Sequence, residues 1–255
     1  MFYRRRACPI TRIVYKLLCH LEFYDDLKIR EKLKVIYSAV KTKIVHEVIK
    51  GHRVRHDILL SCFGNLSKSG SSYVRLFAQE NDILSNNITF PNKISEKIED
   101  KNIKAVIIID DVIGSGDTVI EELEKLNEEL GDLLYEKKIQ VFICSVYGLN
   151  KGIDKIIEYA KKVKFAIIVN VADIVNENDQ WYHGDSGIFS DFEERETASR
   201  IVMEYGKKLT KDMPFGHDGC GLLVVTRDNC PDNTIGIIWD TTPRYPKWIP
   251  LFKRI

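Results

Sequence analysis

Between Lys104 and Asp110 the chain reads Lys-Ala-Val-Ile-Ile-Ile-Asp, apolar at every interior position and without polar alternation. A strand with one face in water alternates polar and apolar side chains, so this run fits a strand covered on both faces, as in a parallel sheet. The flanking pattern agrees. Asp57–Phe63 is a second short apolar run, and residues 139–146 and 164–171 are further strand candidates. Helical spacing falls between them, at Ser71–Asn81, Asn92–Asp100, Thr118–Leu130 and 151–161. Strands that alternate with helices predict an α/β fold with a largely parallel sheet.

The remaining segments set the expected organisation. Leu33, Ile36, Tyr37, Val40, Ile44, Val45 and Val48 recur at three- and four-residue spacing, a helical N-terminal extension over 1–56. The core is expected over 57–210, with a loop at 173–190 and a charged helix at 191–209. Residues 211–255 are expected to form a C-terminal β-hairpin module, because Gly221–Thr226 and Ile235–Trp239 flank the turn-rich Asp228–Asn233.

Composition excludes several classes. Thirty-eight Lys and Arg against 37 Asp and Glu leave a net charge of +1, which removes a whole-chain electrostatic case for nucleic acid or an anionic membrane. Charge is nevertheless unevenly spread: residues 28–55 carry nine bases and two acids, residues 96–136 thirteen acids and four bases. The basic helix reads either as a solvated face or as a docking surface for a regulatory protein or a nucleic acid. No apolar run approaches the ~18 residues of a membrane helix, and Arg12, Lys16, His20 and Glu22 interrupt the first apolar stretch, so neither membrane span nor signal peptide is expected. Six cysteines without a CxxC pair fit a reduced, cytoplasmic protein and argue against a zinc site.

Chemistry concentrates in Val106-Ile-Ile-Ile-Asp-Asp-Val-Ile-Gly-Ser-Gly-Asp-Thr118. The buried strand delivers Asp110 and Asp111 at its C-terminal end, where open α/β sheets bind ligands. Gly114, Ser115, Gly116, Asp117 and Thr118 then turn into a helix whose N-terminus favours an anion. Acids that accept from ribose hydroxyls beside a phosphate cradle suit a sugar phosphate. Other readings of these residues are weaker. GxGxxG fails at Val119, a Walker B strand has no GxxxxGK[ST] partner in the chain, and a strand–turn–helix without a ligand stays open. Gly184-Asp-Ser-Gly187 matches a serine-protease tetrapeptide without the His and Asp context.

The stretch resembles the signature with which type I phosphoribosyltransferases bind 5-phosphoribosyl-1-pyrophosphate (PRPP). The resemblance implies that Asp110 and Asp111 hold the ribose hydroxyls and that residues 114–118 hold the 5′-phosphate. It also implies Mg²⁺ bound through the ligand, with no direct protein ligand set. Lys68, Ser69 and Gly70 match the family's pyrophosphate loop by order and chemistry. Gly114 stands where enzymes for 6-oxopurine bases carry an Asp, so that role in base protonation is missing. Trp181 and Trp239 are candidate base contacts, or packing residues. Phe215-Gly-His217, Asn229–Thr234, Trp239 and Trp248–Phe252 resemble the tail of phosphoribosyltransferase-like proteins from bacterial antiviral and conflict systems, including retron-linked ones. The implied function is transfer or removal of a base at ribose C1 as an effector. The alternative is a PRPP or nucleotide sensor without turnover.

Overall fold

The structure, a computed structural model, describes residues 9–47, 56–64, 70–100, 102–189, 191–227, 229–240 and 248–252. In chain order the elements are α1 (Pro9–Cys19), β1 (Glu22–Tyr24), α2 (Asp26–Glu47), β2 (Ile58–Ser61), α3 (Gly70–Glu80), α4 (Ile94–Asp100) and β3 (Ala105–Ile113). They continue as α5 (Asp117–Glu136), β4 (Gln140–Leu149), α6 (Asn150–Ala160), β5 (Ile167–Val175), α7 (Phe192–Leu209), β6 (Val224–Thr226) and α8 (Gly236–Trp239). Two compact units result: Met1–Asp25 with Asn176–Ile255, and Asp26–Val175. The boundaries expected at 56 and 210 do not coincide with them.

The unit Asp26–Val175 is built on a parallel sheet in the order β2-β3-β4-β5. Leu59, Val106, Ile108, Val141 and Ile143 share one apolar cluster with Ile94 and Ile98 of α4, Leu123 and Leu134 of α5, and Ile156 of α6. Helices α2 and α3 contact the strands as well, α2 on β4 and β5, α3 on β2 and β3. The double coverage is the reason β3 lacks polar alternation: Ala105–Ile109 are all buried. Helix α2 buries Ile29, Leu33, Ile36, Tyr37, Val40 and Ile44, so the stripe from Leu33 to Ile44 is a core face, while Val48 lies outside the described residues. Its basic residues are partly tied down within the unit: Lys32 pairs with Asp173 at 2.5 Å, and Arg30 and Lys34 both meet Glu80 of α3.

The other unit holds α1, β1, α7, β6 and α8 around Leu17, Trp181, Phe189, Val202, Val225 and Trp239. Asp191 caps α7 by accepting from the Glu194 N–H at 2.7 Å. Glu194 in turn pairs with Arg12 and Lys16 of α1 at 3.1 and 2.6 Å.

The expected C-terminal hairpin is not formed. β6 pairs in parallel with β1, Glu22 opposite Val224, and Gly236–Trp239 is a single helical turn. The Thr234 hydroxyl donates to the Val224 carbonyl at 2.6 Å. Leu222 and Thr234 share only an isolated parallel bridge. The apolar run 235–239 satisfies a helical turn as readily as a strand, because a short run carries little periodicity.

Candidate functional site

β3 extends through Ile113, so Asp110 and Asp111 lie within the strand rather than after it. Interior position and pairing with β4, Asp110 opposite Ser145, hold the backbone there. The Asp110 carboxylate accepts from the Asp111 N–H and the Asp111 carboxylate from the Val112 N–H, both at 2.9 Å. Asp111 is 9% exposed; Asp110 is half-buried. The Ser145 hydroxyl lies 2.9 Å from the Asp111 carbonyl and 2.7 Å from that of Tyr147, and its one proton serves either at a time. Ser145 thereby fastens the acid-bearing end of β3 to its neighbour.

The turn after β3 depends on glycine for two separate reasons. Gly116, preceding α5, has φ +83°, a left-handed conformation costly for other residues. A Cβ on Gly116 would also come 2.7 Å from the Gly152 carbonyl oxygen, and one on Gly152 would come 2.1 Å from the Gly114 carbonyl oxygen. The turn is therefore seated against the first turn of α6. Asp117 opens α5, its N–H 3.4 Å from the Ser115 hydroxyl oxygen, and its carboxylate pairs with Lys155 of α6. Thr118 is exposed. Amide groups in the first turn of a helix have no intrahelical acceptor, so the start of α5 offers donors to an anion.

β2 delivers a third element beside these. A Cβ on Gly70, the first residue of α3, would come 2.9 Å from Cys62 Cβ and 3.6 Å from the Ile109 carbonyl oxygen. Gly70 therefore lies one residue along β3 from Asp110. The Cys62 thiol is pushed up, first by burial and then by the Asp110 charge. Lys68 and Ser69 lie outside the described residues. A cavity of about 350 Å³ opens next to this end of β2, lined among others by Cys62, Gly64, Asn92, Ile108, Glu122 and Lys125.

Asp110, Asp111, Gly114, Ser115, Gly116, Asp117, Thr118 and Gly70 thus gather at the C-terminal ends of β2 and β3. Trp181 and Trp239 are interior side chains of the other unit, 1% and 8% exposed. Trp181 stacks on Phe215 with ring centres 5.5 Å apart and donates its indole N–H to the Gly221 carbonyl at 2.8 Å. Trp239 donates to the Thr234 carbonyl at 2.8 Å. Packing, the second reading of these rings, is what the structure shows.

Sequence reasoning missed Ser145, Gly152 and Lys155. All three come from the βα unit after the motif, and only the sheet register brings them to it. A glycine within the first turn of a helix, as at Gly152, was the available signal, since it costs helix stability unless close approach requires it.

Among solved structures, the chain is similar to a xanthine-guanine-hypoxanthine phosphoribosyltransferase from Helicobacter pylori at 13% identity and a TM-score of 0.36, over 62% of this chain and 92% of that one. It is similar to an orotate phosphoribosyltransferase from Aeropyrum pernix at 10% identity and 0.33, over 55% and 68%. A third similarity is to the AQ2163 protein from Aquifex aeolicus at 13% identity and 0.37, over 66% and 84%. No curated protein matches the chain by sequence. The PRTase-CE family profile matches residues 8–254, nearly the whole sequence, and the chain belongs to this phosphoribosyltransferase-like family.

Proposed function

We propose that the chain binds PRPP or a nucleotide at the ends of β2 and β3 and acts at ribose C1, transferring or removing a base. The observation that carries this reading is the convergence of the acid pair, the glycine turn and Gly70 on one end of one sheet. Asp110 and Asp111 would accept from the ribose hydroxyls, and the start of α5 would hold the 5′-phosphate. Lys68, Ser69 and Gly70 would hold the pyrophosphate. In transfer, the C1–oxygen bond breaks with its electron pair leaving on pyrophosphate, a base nitrogen supplies the pair for the new bond, and the proton that nitrogen carried passes to solvent. The positive charge that develops on the sugar is stabilised by the oxygens held around it.

Mg²⁺ would be held through the ligand, bridging pyrophosphate and ribose oxygens, since a hard cation prefers oxygen donors. Asp110 and Asp111 would act on it indirectly, by fixing the ribose hydroxyls. Calorimetry with PRPP and Mg²⁺ on the wild type and on Asp110→Asn/Asp111→Asn tests the site; equal heats would remove the acid pair from it.

One observation favours the sensor reading: Gly114 leaves no acid at the position that serves 6-oxopurine chemistry. Product separation after incubation with PRPP or nucleotides decides between the readings, because tight binding without turnover belongs to the sensor. The role as an antiviral effector rests on the resemblance of the tail. Its test is phage challenge of cells carrying wild-type protein or the acid-pair variant. The described cysteines are free thiols, in keeping with the proposed action in the cytoplasm. No helix among the described residues is long and apolar enough to cross a membrane. A regulatory protein or nucleic acid on residues 28–55 would meet Lys41 and Lys43, which are exposed on α2. Arg30, Lys32 and Lys34 already have carboxylate partners, and residues 48–55 lie outside the described ones.

A further inference from the structure

A carboxylate at the mouth of a phosphate-binding turn opposes the ligand it should admit. Asp117 is such a group: it is the first residue of α5, directly after Gly116. Its carboxylate has a counter-charge. Lys155, from the second turn of α6, pairs with it, and the two side chains are 48% and 41% exposed for Lys155 and Asp117.

The pair does not stand alone, because α6 reaches the turn at a second point. Gly152 approaches the turn so closely that no Cβ fits on Gly152 or on Gly116. Gly152 and Lys155 are three residues apart, so they share one face of α6. That face meets the turn through its backbone and, one turn further on, through a cation.

We propose that Lys155 is a positioning residue of the phosphate site, holding the Asp117 carboxylate outward and cancelling its charge so that the start of α5 can accept a phosphate monoester. The inference rests on the phosphate-site reading above. Without Lys155, the Asp117 charge would stand a few ångströms from a phosphate dianion, where like charges repel appreciably even near water. The closeness of Gly152 fixes α6 against the turn, so Lys155 is held in range rather than arriving by chance.

The test is a double-substitution cycle read by calorimetry with ribose 5-phosphate at low salt, with ribose as the control ligand. Lys155→Met should weaken ribose 5-phosphate binding by about five- to tenfold. Lys155→Arg should restore most of it. Adding Asp117→Asn to Lys155→Met should recover the loss, because the charge to be cancelled has gone. Melting temperatures of the set report whether each variant is folded.

If the double variant stays as weak as Lys155→Met, Lys155 touches the phosphate directly and the compensating role is overturned. Unchanged binding in Lys155→Met, with wild type binding normally, also overturns it. Should the wild type bind ribose 5-phosphate no better than ribose, the phosphate-site reading falls and takes the compensating role with it.

Discussion

Gly152 and Gly114 are in backbone contact across two βα units: a Cβ on Gly152 would lie 2.1 Å from the Gly114 carbonyl oxygen. The first turn of α6 is thus the floor on which the turn after β3 rests. Gly152→Ala forces backbone to move, since the colliding atom is a carbonyl rather than the tip of a flexible side chain. The expected cost is about 1–3 kcal/mol, read as a lower midpoint in urea unfolding. Ribose 5-phosphate should bind more weakly to the variant, because the turn is displaced from the start of α5. Full affinity in a folded Gly152→Ala protein would separate the turn from the phosphate.

Acid stability should depend on Glu80. Lys34 and then Arg30 hold its carboxyl below the ordinary value of 4.5. A group whose folded pKa is depressed contributes stability that is complete above its unfolded pKa and disappears as pH falls through the folded one. The pairing of α2 with α3 through Glu80 should therefore be present at neutral pH and weaken below about pH 4.5. Glu80→Gln should lower the melting temperature at pH 7, and the deficit against the wild type should shrink progressively as the pH falls below 4.5. A constant deficit across that range would assign the loss to something other than charge.

Trp181→Ala should cost about 3–5 kcal/mol, measured by denaturant unfolding. It empties a fully buried site, removes the stack on Phe215 and leaves the Gly221 carbonyl without its donor. Trp181→Phe should retain most of that stability and bind PRPP as the wild type does. A selective loss of PRPP affinity in Trp181→Phe would return this ring to the ligand.

The fold of the Asp26–Val175 unit was legible because its strands announce themselves. Ala105–Ile109 can be apolar throughout only if helices cover both faces, and the helical spacing on either side supplied them. The acid pair stood out as a candidate because two adjacent charges interrupt an apolar run; that both stay inside β3, with Asp111 buried, was not readable from the sequence. The C-terminal residues were not legible. Val224–Thr226 takes its partner from Glu22–Tyr24 at the other end of the sequence, and no local pattern encodes that pairing. Lys155 was illegible in the same way: one lysine on a charged helix looks like its neighbours until α6 is placed beside Asp117. Trp181 and Trp239 show the converse. Aromatic residues in turn-rich segments suit a ligand as well as a core, and only burial distinguishes the two.

The pairing of β1 with β6 nests one unit inside the other in chain order, and that sets a sequence of events during synthesis. Every strand of the sheet β2-β3-β4-β5 has been made by Val175, so that unit can close while the rest is still being added. β1 and the apolar side of α1 must wait through all of this with their final partners not yet made. Joining strands so distant in sequence costs loop-closure entropy before contacts return it, which makes the step slow. A chain that stopped short of Val224 would therefore leave Glu22–Tyr24 as an open edge, a surface ready to pair with another chain, although every strand of the other unit had already been made.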